Sequence, residues 1–492
     1  MIPVVEPVSQ FVVAQGSAPL AGMVVAVTAI DLEQAEHRGI AYFSKSLLEA
    51  LHGLGADVYL LTGYSRRRLN SFQLARMVGP AASSVFQADL VDQMVAAPCA
   101  LAAGLRSPAS IWLGQCGRLR GLLRLFASLL KQRGMLPAKS VMLTGFSEGP
   151  YAGVPRVAYL QYVKKFLSAP FVFVLSSCSA WLPFGWIPRL RISGERVDAL
   201  LTTCPLALTA VDASRREVPV LQVIHDAFTL DFGLHPDRPF SFYRRLLAAV
   251  QGHCLFVSSH TRERVLQLLG LPCDRKTSSV IIQPPSLAPA DLEAACLIPS
   301  FRGLDGPFLL FNSSVVPRKN ALLAIEAFIA SGLSDRPMSL VIAGALHPGP
   351  YLSQLRDNAS HSGSIHFLGY VSDLEKAWLY LRMTALLSPS LAEGFGIPVL
   401  DAACLGVPAL ASDIPSHREI AALNDLPSKP ELLPVANIAA WARAIQLYGR
   451  EGVLPSAETL RLRLDVYQNA RQRRMQVFSA ALANALSAAT SK

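Results

Sequence analysis

The chain has 492 residues, 51% of them hydrophobic and only 16% charged; it is long enough for two or three domains with sizeable cores, and the composition excludes a disordered chain. Its 45 basic and 35 acidic residues give a net charge of +10, a balance suited to nucleic acid, anionic lipid or a phosphorylated substrate. No zinc finger, aromatic-basic RNA motif or helix-turn-helix pattern accompanies the charge, so nucleic acid ranks last and none is expected. The eight cysteines (99, 116, 178, 204, 254, 273, 296 and 404) have no CxxC or metal-ligand spacing and read as reduced thiols.

No basic segment precedes an apolar core at the N-terminus, so no secretory signal is expected. The nearest thing to a membrane span, residues 169–188, is broken by Pro183, Gly185 and Pro188. The expected location is therefore cytoplasmic. Within that stretch the loop Trp181-Leu182-Pro183-Phe184-Gly185-Trp186, followed by Arg189, Arg191 and Arg196, is a candidate peripheral contact with the anionic inner face of a membrane. Aromatic residues packed beneath a loop are the plainer reading of the same residues.

In chain order, Met23–Ile30 reads as a buried parallel strand, Tyr42–Leu54 as a helix closed by Gly53 and Gly55, and Asp57–Thr62 as the next strand. This βαβ opening predicts a doubly wound sheet, with Gly39 in its first loop. Residues 66–144 are basic and helical in pattern without a nameable motif. Phe171–Leu175 and Ala199–Leu201 are strand-like runs around the tryptophan loop. Val218–Ile224 is a buried strand that delivers His225-Asp226 at its C-terminal end, where α/β sheets place ligand residues. Cys254–Val257 is another, and Ser259 or Thr261 is placed to cap the helix after it.

Residues 284–306, rich in Pro, Ser and Gly, read as a link. Beyond it come the strand Pro307–Phe311, the turn Pro317-Arg318-Lys319-Asn320, the helix Ala321–Ala330, and strands at Ser339–Gly344 and Ile365–Val371. The stretch on which the second half turns is 385–412. A short strand, Ala385–Leu387, leads to Glu393-Gly394-Phe395-Gly396-Ile397-Pro398 and a helix that runs to Gly406. Two glycines and a helix N-terminus form a place for phosphate, and here it is bracketed by the acids Glu393 and Asp401, which suit sugar or ribose hydroxyls. A nucleotide-sugar pocket and an ordinary βα turn are equally good readings of these residues alone. Helices are expected at Ile438–Tyr448 and Ala470–Leu486.

The 385–412 stretch resembles the donor motif of retaining GT-B glycosyltransferases of the family 4 type, an E-x7-E pattern within EGFGxPxxE, with Asp401 in place of the second glutamate. The turn at 317–320 resembles the family's PRKN loop, and 254–262 its VSxxSR turn. The resemblance is strong over roughly residues 218–448. It implies an α/β protein of two doubly wound, Rossmann-like domains facing across a cleft: an acceptor-side domain at 1–298, a donor-binding domain at 299–469 and a helix at 470–492 packing back on the first. It further implies sugar transfer from a nucleotide-diphosphate donor, mannose-like by the PRKN and EGFGIP combination, to a glycan or lipid-linked acceptor, with retention and without a metal or other cofactor. By the same resemblance Glu393 and His225 are catalytic. Arg318, Lys319, Gly394, Phe395, Gly396, Ile397, Asp401 and Gly39 then hold the donor, with Asp401 on the ribose. Two rivals stand beside this reading. One is a non-catalytic sugar-nucleotide binding protein of the same fold. The other is a dehydrogenase, which lacks its GxGxxG between strand and helix at the start of either half.

Overall fold

A computed structural model describes residues 18–28, 30–33, 39–63, 135–142, 155–169, 172–178, 187–232, 239–272, 275–360, 362–449 and 452–491. The Trp181–Trp186 loop and most of the basic stretch 66–144 lie outside the described residues. Among the described residues no helix is long and apolar enough to cross a membrane.

Two sheets organise the chain. Among the described residues the first has eleven strands. Its parallel centre runs, in spatial order, Ser278–Val280, His253–Phe256, Val220–Ile224, Ala199–Thr202, Val24–Thr28, Asp57–Thr62 and Lys165–Ser168. Val25, Ala26 and Val27 are wholly buried, as a strand covered on both faces requires. Beyond Lys165–Ser168 the antiparallel strand Met135–Met142 reverses direction, and Arg189–Ser193, Thr209–Val211 and Glu217–Val218 complete that edge.

The second sheet has six parallel strands. Numbered along the chain they are Phe308–Asn312, Ser339–Ala343, Ile365–Gly369, Ala385–Ser388, Ala409–Ser412 and Glu431–Leu433. Their spatial order is 3-2-1-4-5-6, the doubly wound order. The winding changes direction between Phe308–Asn312 and Ala385–Ser388, which pair directly. Loops leaving the C-terminal ends of these two strands diverge to opposite faces, and the crevice between them is where such sheets bind ligands.

Four local expectations are corrected. Of the expected strand Phe171–Leu175, residues 172–175 belong to a helix, Val172–Cys178, with Val172, Phe173 and Leu175 buried; a short apolar run does not by itself separate strand from helix. The run Val218–Ile224 is two strands divided at Pro219, which has no N–H for a ladder. The link 284–306 contains the helix Pro289–Cys296, started by proline in its first turn. The last helix begins at Ala457, capped by the Ser456 side chain, and runs to Thr490.

That 34-residue helix ties the halves together. Phe478 packs edge-on against Phe43 of the first half, with ring centroids 5.6 Å apart. The basic residues between 461 and 474 are largely spent on such ties: Arg463 donates to the Leu381 and Met383 carbonyls, Arg471 to Glu49 and Arg474 to Asp425.

Candidate active site

At the switch point the strand Phe308–Asn312 leads into a tight turn, Pro317–Lys319, closed by Asn320 in a left-handed conformation (φ 54°) before the helix Ala321–Ala330. The strand Ala385–Ser388 leads through Glu393 to Gly396 (φ 113°), the N-cap of the helix Ile397–Cys404. The two loops are joined backbone to backbone by Leu391 N–H and the Arg318 carbonyl at 2.8 Å. Side chains complete the join. Glu393 accepts from Lys319 Nζ and, at 2.7 Å, from Ser390 Oγ, while Arg318 Nη1 lies 3.5 Å from its other oxygen and also donates to the Ala392 carbonyl.

The first sheet supplies the opposite wall. His225 follows the strand Val220–Ile224, its Nε2 3.0 Å from the Thr203 carbonyl and its ring edge-on to Phe43. A carbonyl only accepts, so Nε2 carries the proton and Nδ1 is bare in the neutral ring. The Arg318 guanidinium stacks on Phe228 at 4.1 Å, a contact between the two halves. Gly39, at the start of the helix Gly39–Gly53, leaves room for Ile397: a Cβ there would meet Ile397 Cδ1 at 3.4 Å.

Together these groups line a cavity of about 280 Å³. Nine of the ten residues singled out in the sequence border it: Gly39, His225, Arg318, Lys319, Glu393, Gly394, Phe395, Gly396 and Ile397.

Asp401 does not, and its assignment to the ribose is corrected. It sits in the middle of the helix, fully buried. Its carboxylate accepts from the Ser286 N–H and hydroxyl, each at 2.5 Å, and lies 3.4 Å from Tyr467 Oη and 3.5 Å from Lys376 Nζ. The side chain is thus a tie between the second sheet's helix, the 284–306 link and the last helix. Asp401→Ala should cost roughly 3–5 kcal/mol by leaving Lys376 buried without its counter-ion. Nucleoside diphosphate affinity should stay within twofold; thermal melting and a binding titration check both, and a large loss of affinity at unchanged stability would return the residue to the pocket.

Several cavity residues carried no sequence signal. Tyr42 and Lys376 arrive from different halves, with the Lys376 ammonium 4.3 Å from the Tyr42 ring. Gly344 could have been found: it ends a strand, and a Cβ there would fall 1.9 Å from the Ser313 carbonyl. Ser258, and neither Ser259 nor Thr261, caps the helix Ser259–Leu268, accepting from Thr261 N–H.

Burial alone would raise the Glu393 carboxyl; the cations Lys319 and Arg318, with His417, outweigh it and hold it at about 2. Burial lowers Lys319, against the pull of Glu393. Burial likewise lowers His225, to about 4, and lowers His417, whose Nδ1 lies 2.9 Å from the Ser412 carbonyl. The glutamate is therefore ionised and His225 neutral at any pH near 7.

These shifts set the acid stability. Between an unfolded His225 at 6.5 and a folded one at about 4, the unfolded chain binds the extra proton, so stability is lost as pH falls through that window. The full effect is about 3 kcal/mol. Glu393 adds a second loss from 4.5 downward towards 2. Melting temperature should fall from pH 7 to pH 4, and His225→Asn should flatten the upper part of that fall without abolishing it, because His417 remains. An unchanged slope in the variant would place the acid sensitivity elsewhere.

With this geometry in view, the chain can be set beside known proteins. Residues 300–473 match the family Glycosyl transferases group 1. Over nearly the whole chain the architecture matches a solved point variant of TarM from S. aureus, in complex with fondaparinux, α-GlcNAc-glycerol and UDP. That match has a TM-score of 0.51 at 11% identity, covering 94% of this chain and 99% of that one. The fold is GT-B. Among curated sequences, O-antigen chain mannosyltransferase B of Escherichia coli is 28% identical over 170 residues, 34% of this chain and 44% of that protein. O-antigen chain mannosyltransferase RfbU of Salmonella typhimurium LT2 is 33% identical over 106 residues, 21% of this chain and 29% of that protein. The GT-B chain thus spans less than half the length of these curated relatives.

Proposed function

We propose that the protein is a glycosyltransferase that moves a sugar, mannose in the leading case, from a nucleotide-diphosphate donor to a glycan or lipid-linked acceptor, with retention at the anomeric carbon. One observation carries the reading: an ionised Glu393 held between Lys319 and Arg318 at the switch point of the second sheet, in a cavity walled on its far side by His225. The mannosyl assignment draws on the O-antigen mannosyltransferases, and the glycan acceptor on the same relatives.

In this reading the donor diphosphate lies against Arg318 and Lys319. Glu393 balances one of the two cations, so the cluster keeps a net positive charge for the phosphates, and the N-terminus of the helix Ile397–Cys404 adds its dipole. Glu393 accepts from sugar hydroxyls and stabilises the oxocarbenium-like centre as the glycosidic bond to phosphate breaks. The departing phosphate oxygen takes the proton of the acceptor hydroxyl as the new bond forms on the same face. His225, neutral, touches the sugar. In this reading the net positive charge of the cluster and the helix dipole stand in for a metal on the leaving group.

The test is a thermal-shift panel of GDP, UDP and ADP and their sugars, followed by transfer assays with the ligand that stabilises most. A donor at a hundred times its Kd should add about 2.7 kcal/mol to the folded state. EDTA should leave transfer intact, whereas Lys319→Ala should reduce it at least a hundredfold, about 2.7 kcal/mol of transition-state stabilisation. No shift with any nucleotide would reject the reading, and complete loss in EDTA, restored by Mn²⁺, would reject the metal-free step. The diversion of Asp401 to a structural tie favours one second reading, a binding protein that retains the fold. Nucleotide binding without transfer or donor hydrolysis would select it.

A further inference from the structure

The two proposed catalytic residues sit on different halves of the molecule, and one pair of hydroxyls touches the backbone of both. Ser258 and Thr261, in the first turn of the helix Ser259–Leu268, are fully or almost fully buried. Ser258 Oγ lies 2.6 Å from the Gly394 carbonyl, and Thr261 Oγ1 lies 3.0 Å from the same carbonyl and 3.3 Å from that of His225. Each hydroxyl has one proton. Ser258 donates to Gly394, and the Thr261 hydroxyl, also 2.9 Å from Ser258 Oγ, shares its proton between the Gly394 and His225 carbonyls and so bridges the two loops. The Ser258 lone pairs meanwhile accept from Thr261 N–H at 3.0 Å, the ordinary cap.

The spacing around these bonds has no slack. A Cβ on Gly394 would fall 2.1 Å from the His225 carbonyl oxygen, so the loop of Glu393 and the loop of His225 are in backbone contact at the point the hydroxyls bridge. The same helix start is gripped from the second half a second time. Glu419 accepts from Ser259 N–H at 2.8 Å and 3.0 Å and from His260 N–H at 3.4 Å, occupying donors that a helix N-terminus leaves free.

We infer that Thr261 is a positioning residue, which with Ser258 fixes the register of Glu393 against His225 across the cleft. The inference rests on the glycosyltransferase reading for what those two residues do, and on the geometry alone for which backbones are joined. Capping requires only the Ser258 side chain and the Thr261 backbone; the Thr261 hydroxyl adds a 2.9 Å contact with Ser258 Oγ and the bonds to the two loops, so its removal loosens the loops while the cap acceptor stays.

The experiment compares the full-length wild type with Thr261→Val, which keeps shape and the cap, and Thr261→Ser, which restores the donor. Thr261→Val should lower kcat about tenfold, the scale of a sub-ångström misplacement of reacting groups. Donor KM and nucleoside diphosphate affinity should change less than twofold, and Thr261→Ser should recover most of the loss. Amide hydrogen exchange of the 393–397 segment should rise in Thr261→Val and return towards wild type in Thr261→Ser. A kcat within twofold of wild type in Thr261→Val, or unchanged exchange in that segment, overturns the inference. A wild type that neither transfers nor hydrolyses any donor rejects the glycosyltransferase reading instead, and the exchange comparison then still decides whether Thr261 holds the two loops in register.

Discussion

Glu393→Gln should reduce transfer at least a hundredfold, about 2.7 kcal/mol, because it keeps the shape of the side chain and removes the charge placed for an oxocarbenium-like centre. It should also weaken the fold. An open-cleft position would have spared stability, but Glu393 is only 8% exposed and is the counter-ion of Lys319, whose side chain is 13% exposed at the cavity wall. Neutralising it leaves that ammonium without its counter-ion, a loss of about 1–3 kcal/mol, less than for a fully buried pair because the cavity admits solvent. Chemistry and stability are then separable with Glu393→Gln combined with Lys319→Met. Removing both charges should recover much of the melting temperature and none of the transfer, since paired removal of a buried ion pair is far milder than breaking it. Near-normal turnover in Glu393→Gln would remove the residue from the mechanism.

The contrast between Glu393 and Asp401 shows what a linear pattern can hold. Glycine, proline and apolar spacing put both acids on their elements, Glu393 before a helix N-terminus and Asp401 about one turn into that helix. The strands of the second sheet were legible for a related reason: fully buried parallel strands are short, nearly continuous apolar runs, and Phe308–Asn312, Ser339–Ala343 and Ala385–Ser388 are of that kind. Which way Asp401 faces was not legible. Its partners Ser286 and Tyr467 are 115 and 66 residues away along the chain, and only the packed fold brings them to it. Tyr42 and Lys376 belong to the same class, meeting at the cavity from opposite halves. So does the basic run 461–474, which reads as an anion-seeking face and is instead largely bonded to Glu49, Asp425 and backbone carbonyls. Local propensity and period report the element; tertiary contact decides the partner.

Gly394→Ala should reduce transfer about a hundredfold while leaving nucleoside diphosphate binding within a few-fold. Gly394 is not among the glycines with positive φ, so alanine meets no backbone penalty there and the effect is steric. The added Cβ would lie 2.1 Å from the His225 carbonyl oxygen and 3.2 Å from Asp226 Cβ, well inside contact distance, and neither the carbonyl nor the strand end that carries it can rotate away. The two loops must separate by more than 1 Å, which moves Glu393 relative to His225 and strains the Ser258 and Thr261 bonds. A displacement of that size at a reacting centre costs about a hundredfold in rate, and overpacking about 1–3 kcal/mol in stability. Arg318 and Lys319 stay on the second sheet's own loop, so the diphosphate keeps its cations and the binary affinity is spared. The measurement is therefore a pair: kcat from donor turnover and Kd for the nucleoside diphosphate. Loss of both together would mean that the alanine unseats the Arg318–Lys319 loop as well. Unimpaired turnover would mean that the contact between Gly394 and His225 is not on the reaction path.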